Sequence, residues 1–148
     1  MLNKSYIAGL FDGEGSISIR PQSKKRYLSS VNISVGIGMC NPIVKKLYKK
    51  FGGYVYIIPA QDNHRKIYKW YLINKKDIHK FLTFIYSNLI IKKEQAKIML
   101  KFIRLKTVSG RKRNSYLIKR AFKYINKIRK LNGRVKRKDI NLRYGDVE

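Results

Sequence analysis

Several residue types are scarce in this sequence, and each scarcity excludes a class of protein. The chain has a single cysteine, Cys40, so it cannot build an intramolecular disulfide framework. It has only two histidines, so a zinc site made of cysteine and histidine cannot be assembled within the chain. Its most apolar stretch, residues 81–91, is interrupted by polar side chains and is shorter than the about 20 residues that cross a bilayer. Disulfide scaffolds, zinc fingers and membrane-spanning helices are therefore excluded.

Acidic residues are also scarce, which leaves a large positive charge without internal compensation. The 148 residues include 35 lysines and arginines against 8 aspartates and glutamates, for a net charge of +27. A hydrophobic fraction of 44% is enough for a packed core, so a disordered polybasic tail does not describe the whole chain. A polyphosphate best neutralises such a charge, and we expect nucleic acid as the partner. A membrane surface is the weaker alternative and is not expected, since the basic residues recur along the whole chain.

The amino-terminal residues carry no sign of export. They include two acids by position 14 and no long apolar core, so we expect no secretory signal and an intracellular protein. The bias toward lysine, isoleucine, asparagine and tyrosine suggests an AT-rich coding genome, such as that of an organelle (mitochondrion or chloroplast), a phage or an AT-rich prokaryote.

Hydrophobic periodicity predicts an α+β chain that contains two hairpins. The predicted elements are, in order, a helix over 4–13, strands over 16–20 and 30–38, a helix over 42–51 capped by Asn41, strands over 54–58 and 66–73, and helices over 75–86 and 92–105. A basic linker over 107–114, a helix over 115–132 and a basic tail over 133–148 follow. We therefore expect a core over 1–106 in the order αββαββα, with further helix at the carboxyl end.

Two of the few acids, Asp12 and Glu14, lie at the glycine-flanked end of the first predicted helix. Carboxylates there face the negative end of the helix dipole, at a cost of about 0.3–1 kcal/mol each unless positive charge is near. A divalent cation would supply that charge, whereas in a solvated turn Asp12 would only bond local backbone. The two acids taken alone favour the solvated turn, so a metal site needs further evidence.

The segment that contains these acids resembles a known motif. Residues 7–15, IAGLFDGEG, resemble the LAGLIDADG motif of homing endonucleases and match five of its nine letters. The segment IKKEQA at 91–96 resembles the lysine segment that follows the second hairpin in that family, and the predicted element order agrees with the family's. The resemblance spans residues 5–105. It implies a saddle made of a four-stranded antiparallel sheet with helices on one face, and a site-specific endonuclease.

The resemblance also implies a homodimer, since the chain carries the motif once. Gly9 and Gly13 are four residues apart on one helical face, with Ala8 beside them, so another helix or the chain's own sheet can approach closely. In the family, two copies of this helix pack at a two-fold axis. This implies an interface that includes Ala8, Gly9, Asp12 and Gly13, and a target that is palindromic or nearly so.

The motif also implies the residues that carry the chemistry. Glu14 corresponds to the catalytic, metal-binding acid, and the Gly13 carbonyl is a further candidate ligand; oxygen ligands favour Mg²⁺ or Mn²⁺. Lys92 corresponds to the family's active-site lysine, with Lys93 as the adjacent alternative, although both could simply solvate the start of a helix. Many relatives place a water-ordering glutamine near the end of the second strand, where this chain has GMC at 38–40.

The polar positions of the predicted strands are candidate DNA contacts, because strand alternation places them on one face. The candidates for base contact are Ser16, Ser18, Arg20, Gln22, Ser30, Asn32, Ser34, Tyr54, Tyr56, Lys69 and Tyr71. The candidates for phosphate contact at the hairpin tips are Lys24, Lys25, Arg26, Arg65 and Lys66. Strands of about 30 Å match about 9 base pairs, so two copies would cover about 20.

Other functions remain open at this stage. Small size and high charge are typical of ribosomal proteins, but those proteins usually carry their charge in extended tails. A protein of the same fold could also bind without cleavage, as a splicing cofactor for intron RNA or as a DNA-binding regulator. The motif favours a metal-dependent endonuclease that acts on double-stranded DNA.

Overall fold

The computed structural model of the chain describes residues 2–21, 31–61, 64–105 and 115–133. Some of the predicted DNA contacts lie outside the described residues, namely Gln22, Lys24, Lys25, Arg26 and Ser30. The predicted linker at 107–114 and the tail from 134 to 148 lie outside them as well.

The described residues form five α-helices and four strands in the predicted order. The elements are α1 (Lys4–Glu14), β1 (Gly15–Pro21), β2 (Val31–Met39), α2 (Val44–Phe51), β3 (Tyr54–Ile58), β4 (Ile67–Leu72), α3 (Lys75–Ile85), a 3₁₀ turn (Tyr86–Asn88), α4 (Lys93–Ile103) and α5 (Ser115–Leu131). The strands form one antiparallel sheet, so the predicted α+β fold is confirmed. In the part of the chain that the structure describes, no helix has the length and apolarity to cross a membrane.

The start of α2 differs from the prediction. The sequence predicts a helix from Pro42 with Asn41 as its cap, but the regular helix begins at Val44. The reason is local: the Asn41 side chain accepts a hydrogen bond from the Ile43 amide at 2.9 Å, which makes a turn before the helix. At the other end α2 stops at Gly52, whose positive φ of 73° is readily adopted by glycine.

The sheet has two faces of different character. Its strand order is β1-β2-β4-β3, so the two hairpins meet through β2 and β4. Ile17 pairs with Val35, and Ile37 pairs with Trp70. These four side chains are buried and belong to one hydrophobic cluster with the buried helix residues. The helices therefore cover one face of the sheet, and the other face, called here the open face, remains exposed.

The core is centred on a cluster of aromatic rings. The ring of Phe81 on α3 lies edge-on to Phe11 of α1 at 5.3 Å, to Phe51 of α2 at 5.1 Å and to Trp70 of β4 at 5.0 Å between centroids. Such pairs contribute about 0.5–1.5 kcal/mol each beyond the burial of apolar area. The indole N–H of Trp70 donates to the Gly52 carbonyl at 2.8 Å, so its burial leaves no unpaired donor. Phe81 thus joins three helices to the sheet.

The last helix packs against α4 and against the edge strand β1. Its inner face consists of Ala121, Ile125 and Ile128, which are buried. Just after the helix, the Asn132 side-chain amide donates to the backbone carbonyl of Ile17 at 2.9 Å. The predicted carboxyl-terminal helix is therefore present, and it covers part of the edge of the sheet.

Replacement of Phe81 by alanine should lower the free energy of unfolding by about 3–5 kcal/mol, since a fully buried ring with three aromatic neighbours is lost. Urea denaturation followed by the fluorescence of the single tryptophan measures this. The control is Phe84→Ala, because that ring is only partly buried and should cost clearly less. Equal losses for the two variants would contradict the central role of Phe81.

Candidate active site and nucleic-acid interface

The end of α1 is joined to the segment before α4 by the side chain of Asp12. Asp12 is only 7% exposed, and its two carboxylate oxygens accept hydrogen bonds from the Ile90 amide at 2.7 Å and the Lys92 amide at 2.8 Å. Hydrogen bonds to a charged acceptor contribute about 1.5–3 kcal/mol each. The two amides explain how a carboxylate is tolerated at the end of a helix. The interpretation of Asp12 as part of a solvated turn is therefore wrong.

The same contacts hold Lys92 beside the motif. Its ammonium group donates to the backbone carbonyl of Asp12, in the last turn of α1. A cation in this position also interacts favourably with the negative end of the helix dipole. Lys93 instead directs its ammonium group to the ring of Tyr86, 5.6 Å from the centroid. Of the two adjacent lysines, Lys92 is the one held at the end of α1.

Glu14 lies at the junction of α1 and β1, and its side chain is exposed. It forms no hydrogen bond or ion pair with any residue that the structure describes. Two residues later, Ser16 begins the open face of the sheet. An unpaired carboxylate thus stands where the motif helix meets the open face. Within the described ranges, no group of three or more histidine, cysteine, aspartate or glutamate side chains could hold a metal ion.

The outward face of α1 is smooth at two positions. At Gly9 and Gly13, nothing lies within 4 Å of the place that a Cβ atom would occupy. The two glycines therefore do not pack against the chain's own sheet, and another helix has room to approach. Ala8 is completely buried in the chain's own core, and Asp12 nearly so. The prediction that Ala8 lies at an interface with a second copy is corrected, because Ala8 has no exposed surface, whereas the same prediction for Asp12, which is 7% exposed, stays a prediction.

Two exposed isoleucines lie next to this face. Ile90 is 85% exposed and Ile91 is 69% exposed, and the Ile90 amide is bound to Asp12 at the end of α1. Sequence reasoning missed them, because they end the apolar stretch 81–91, whose other apolar side chains are buried or partly buried. The signal was available: they follow the polar pair Ser87 and Asn88 and precede Lys92, so they lie outside any helix. Large apolar side chains this exposed mark a contact surface.

The open face collects the predicted base-contact residues. All nine that the structure describes lie on it: Ser16, Ser18, Arg20, Asn32, Ser34, Tyr54, Tyr56, Lys69 and Tyr71. The strand register arranges them in rows across the sheet, of which one is Ser16, Gly36, Tyr71 and Tyr54, and another is Gly38, Lys69 and Tyr56. Alternate side chains of each strand point to the same face. Pairing of the strands therefore brings these polar side chains together on one surface.

Contacts within the open face hold several of these side chains in place. The guanidinium of Arg20 donates to the hydroxyl of Ser18 at 2.8 Å. The rings of Tyr54 and Tyr71 stack at 5.5 Å between centroids with an interplanar angle of 22°. An arginine whose side chain is already oriented loses less entropy when it contacts a base edge. The face is thus partly preorganised for binding.

A depression of about 200 Å³ lies in the middle of the open face, lined by Gly36, Gly38 and their neighbours. A Cβ atom at Gly36 would lie 2.5 Å from the Trp70 carbonyl oxygen, so the close approach of the strands requires glycine there. A Cβ atom at Gly38 would meet only the flexible side chain of Lys69, at 3.3 Å. Packing therefore permits a side chain at position 38, and the absence of a glutamine near this end of β2 is not imposed by the fold.

The end of the second hairpin carries two exposed basic residues that are predicted to contact phosphate. Arg65 is exposed. The ammonium group of Lys66 lies over the ring of Tyr68, 5.5 Å from its centroid. The ammonium group of Lys45 on α2 lies over the same ring, 5.6 Å from the centroid. Tyr68 packs against the core. Lys66 therefore points to the helix side of the sheet; it is exposed, and its contact with phosphate stays a prediction.

Residues 7–105 match the family model described as LAGLIDADG endonuclease. The fold is similar to that of the archaeal intron-encoded homing endonuclease I-Vdi141I complexed with DNA, with a TM-score of 0.72 and 23% identity over 95% of this chain and 89% of that chain. It is also similar to the homing endonuclease I-CvuI in complex with the I-CreI target and 2 mM Mg, with a TM-score of 0.68 and 20% identity over 86% of this chain and 80% of that chain.

A longer protein, I-SmaMI bound to uncleaved DNA with calcium ions, has a TM-score of 0.61 and 19% identity over 86% of this chain but only 44% of its own length. A search of curated proteins found no match. At these identities the solved structures demonstrate a shared fold, and the family match covers the motif, both hairpins and the lysine segment.

The role of Asp12 can be tested by Asp12→Asn. The amide keeps one acceptor but places an N–H₂ group against the second backbone amide, so we expect a loss of about 1–3 kcal/mol in the free energy of unfolding. Hydrogen exchange of the Ile90 and Lys92 amides should become faster in this variant. Asp77→Asn, which makes the same chemical change in the first turn of α3, is the control. Unchanged exchange at the two amides would contradict the assigned contact.

Proposed function

Because the chain belongs to the LAGLIDADG endonuclease family, we propose that it is a site-specific homing endonuclease that makes a double-strand break in DNA. One observation carries the proposal: Asp12 holds Lys92 at the end of α1, the helix whose last residue is the exposed Glu14, where α1 meets the open face. A cation and a carboxylate that are 78 residues apart in the sequence thus both lie at this end of α1. They lie at one end of a surface suited to DNA.

The open face supports the choice of double-stranded DNA as the substrate. Strand β2 has nine residues, which at about 3.3 Å per residue extends about 30 Å, or about 9 base pairs. A two-stranded ribbon of this kind fits the major groove. Arg20 and Asn32 offer the side-chain types that contact guanine and adenine edges, and they lie opposite each other in the register. Two copies would read a palindromic or nearly palindromic target of about 20 base pairs.

The donor atoms at the end of α1 fit a hard divalent cation. Glu14 offers an exposed carboxylate with no partner among the described residues, and Mg²⁺ and Mn²⁺ prefer oxygen ligands of this kind. Glu14 and the Gly13 carbonyl would hold the ion. Bound there, it would supply positive charge to the scissile phosphate and favour ionisation of a water molecule. Glu14 by itself would repel a phosphate group, and a bound cation would offset this repulsion.

Lys92 is the residue of this chain that can act on the phosphate directly. Its ammonium group has three donors, and one of them is used by the Asp12 carbonyl. The remaining donors can stabilise the negative charge that develops on the phosphate oxygens in the transition state. Asp12 positions Lys92 for this through the Lys92 backbone amide, and it does not touch the substrate itself.

The site is complete only when a second copy is present. Each chain offers one Glu14, and two strands of a duplex must be cut. The outward face of α1 has room at Gly9 and Gly13 for the same helix of a second copy, and the exposed Ile90 and Ile91 lie at its end. Burial of these isoleucines against a second copy would contribute about 1.5–3 kcal/mol for each fully covered side chain. We therefore place the two-fold axis of a homodimer along this face.

Glu14→Gln should lower the rate of cleavage by at least about 100-fold while binding of the duplex persists, because the amide keeps the size of the side chain but removes its charge. The assay is nicking and linearisation of a duplex that carries the native insertion site, with and without Mg²⁺. Glu94→Gln is the matched control, since that glutamate is exposed and contacts only Lys97 among the described residues.

Two experimental results would contradict the proposed cleavage or its assigned residue. If the unmodified protein does not nick the duplex in Mg²⁺ but binds the intron RNA and promotes its splicing, the endonuclease proposal is wrong. If Glu14→Gln cleaves as fast as the unmodified protein, the assignment of the metal-binding acid is wrong.

Ile91→Glu should convert the dimer to a monomer, because it places a charge where an apolar side chain would be covered by the second copy. Sedimentation of the free protein should change from twice the chain mass of 17.5 kDa to that mass. The matched control is Leu131→Glu at the end of α5, which is 45% exposed and should leave the dimer intact. A monomeric mass for the unmodified protein, free and with DNA, would overturn the homodimer.

A further inference from the structure

A basic groove lies between α4 and α5, and none of its lining residues is assigned to the active site. Its volume is about 540 Å³. Its cationic side chains come from both helices: Lys97 and Lys101 from α4, and Arg120, Lys123 and Lys127 from α5. Among the described residues that line it, Glu94 is the one acid. We call this surface the helical groove.

Three of the four lysines that line the helical groove form no ion pair with a described residue. Lys97 contacts Glu94 at 3.3 Å, but these side chains are 47% and 63% exposed, so the pair is weak. Lys101, Lys123 and Lys127 are exposed and face a common cavity. Like charges placed along two packed helices repel each other, which costs stability unless an anion occupies the space between them.

The helical groove is separate from the open face of the sheet. The inner faces of the same two helices consist of buried residues, such as Met99 on α4 and Ile125 on α5, which belong to the core. The core therefore lies between the groove and the sheet. No residue of the groove is shared with the open face or with the Asp12, Glu14 and Lys92 site.

We propose that the helical groove binds the phosphodiester backbone of a single nucleic-acid strand, separately from the duplex on the sheet. The cavity between the two helices has a volume of about 540 Å³, which accommodates a stretch of one strand. Lys97 and Lys101, and likewise Lys123 and Lys127, are one helical turn apart, or about 6 Å, which matches the spacing of successive phosphates in an extended strand. The groove thus presents two parallel rows of ammonium groups to one row of phosphates.

The floor of the groove indicates that the backbone is bound and not the bases. Tyr124 lines the cavity, but its ring already packs edge-on against Phe102, with 6.2 Å between the centroids. Ile98, the other apolar lining residue, is 6% exposed. Stacking of bases needs an exposed aromatic face, which this floor does not offer. Binding should therefore be insensitive to base sequence and strongly dependent on salt.

The test measures binding of a labelled oligothymidylate and a labelled oligouridylate to the full-length protein by fluorescence anisotropy at several salt concentrations. The double variant Lys101→Gln/Lys123→Gln should weaken both probes at least fivefold and lower the salt slope by about 1.4, since each phosphate on a single strand contributes about 0.7. The matched control, Lys46→Gln/Lys49→Gln on α2, makes the same change in net charge at exposed positions and should change affinity less than twofold.

Competition with the native-site duplex tests whether the two sites are separate. The expected result is a ternary complex, in which saturating duplex leaves the oligonucleotide bound, and cleavage by the groove variant is unchanged. Measurements without duplex do not depend on the proposed endonuclease function, so failure of that function would leave this test intact. Equal weakening in the groove and control variants, displacement of the oligonucleotide by the duplex, or no binding of either probe would overturn the proposal.

Discussion

The hydrogen bonds of the Asp12 carboxylate are the constraint on which the rest of the site depends. They join the end of α1 to amides at positions 90 and 92, far away in the sequence. A buried carboxylate that accepts two amides is costly to replace, because any neutral substitute leaves a buried donor unpaired. As a result, the backbone of Lys92 is held in one place, and its ammonium group reaches the last turn of α1. Glu14, two residues after Asp12, carries its exposed carboxylate at the junction of α1 and β1.

Glycine has different functions in different parts of this molecule. At Gly9 and Gly13 the space beyond the backbone is open, which suits an approaching helix. At Gly36 the adjacent strand leaves no room for a side chain, whereas at Gly38 it does. The strand glycines and the short side chain of Ser16 line the depression in the middle of the open face. Longer side chains, such as that of Arg20, lie beside it. A surface of this shape lets a duplex approach the sheet closely and be read at its edges.

The distribution of charge is uneven over the two sides of the molecule. Among the described residues of the open face, the cations on the strands are few, chiefly Arg20 and Lys69, and the other predicted contacts are hydroxyl, amide and aromatic side chains. The helical layer carries far more lysine, and several of its lysines converge on the groove between α4 and α5. The described part of the open face therefore accounts for little of the net charge of +27. It fits a protein with a specific polar face and a separate, less specific attraction for phosphate.

The sequence by itself determined the element order, the polar and apolar faces of the strands, and the identity of the motif. Local periodicity and adjacent residues are enough to specify these features. Ile17 and Val35 could be assigned to the core from alternation alone, and Glu14 and Lys92 from short matching segments. Only the tertiary structure decided that Asp12 is buried as an anchor, that Ala8 belongs to the core, and that Ile90 and Ile91 are exposed. It also decided which lysines of separate helices share a groove. These properties depend on which distant segments pack together, and no local pattern of side chains specifies the neighbours that burial and long-range hydrogen bonds require.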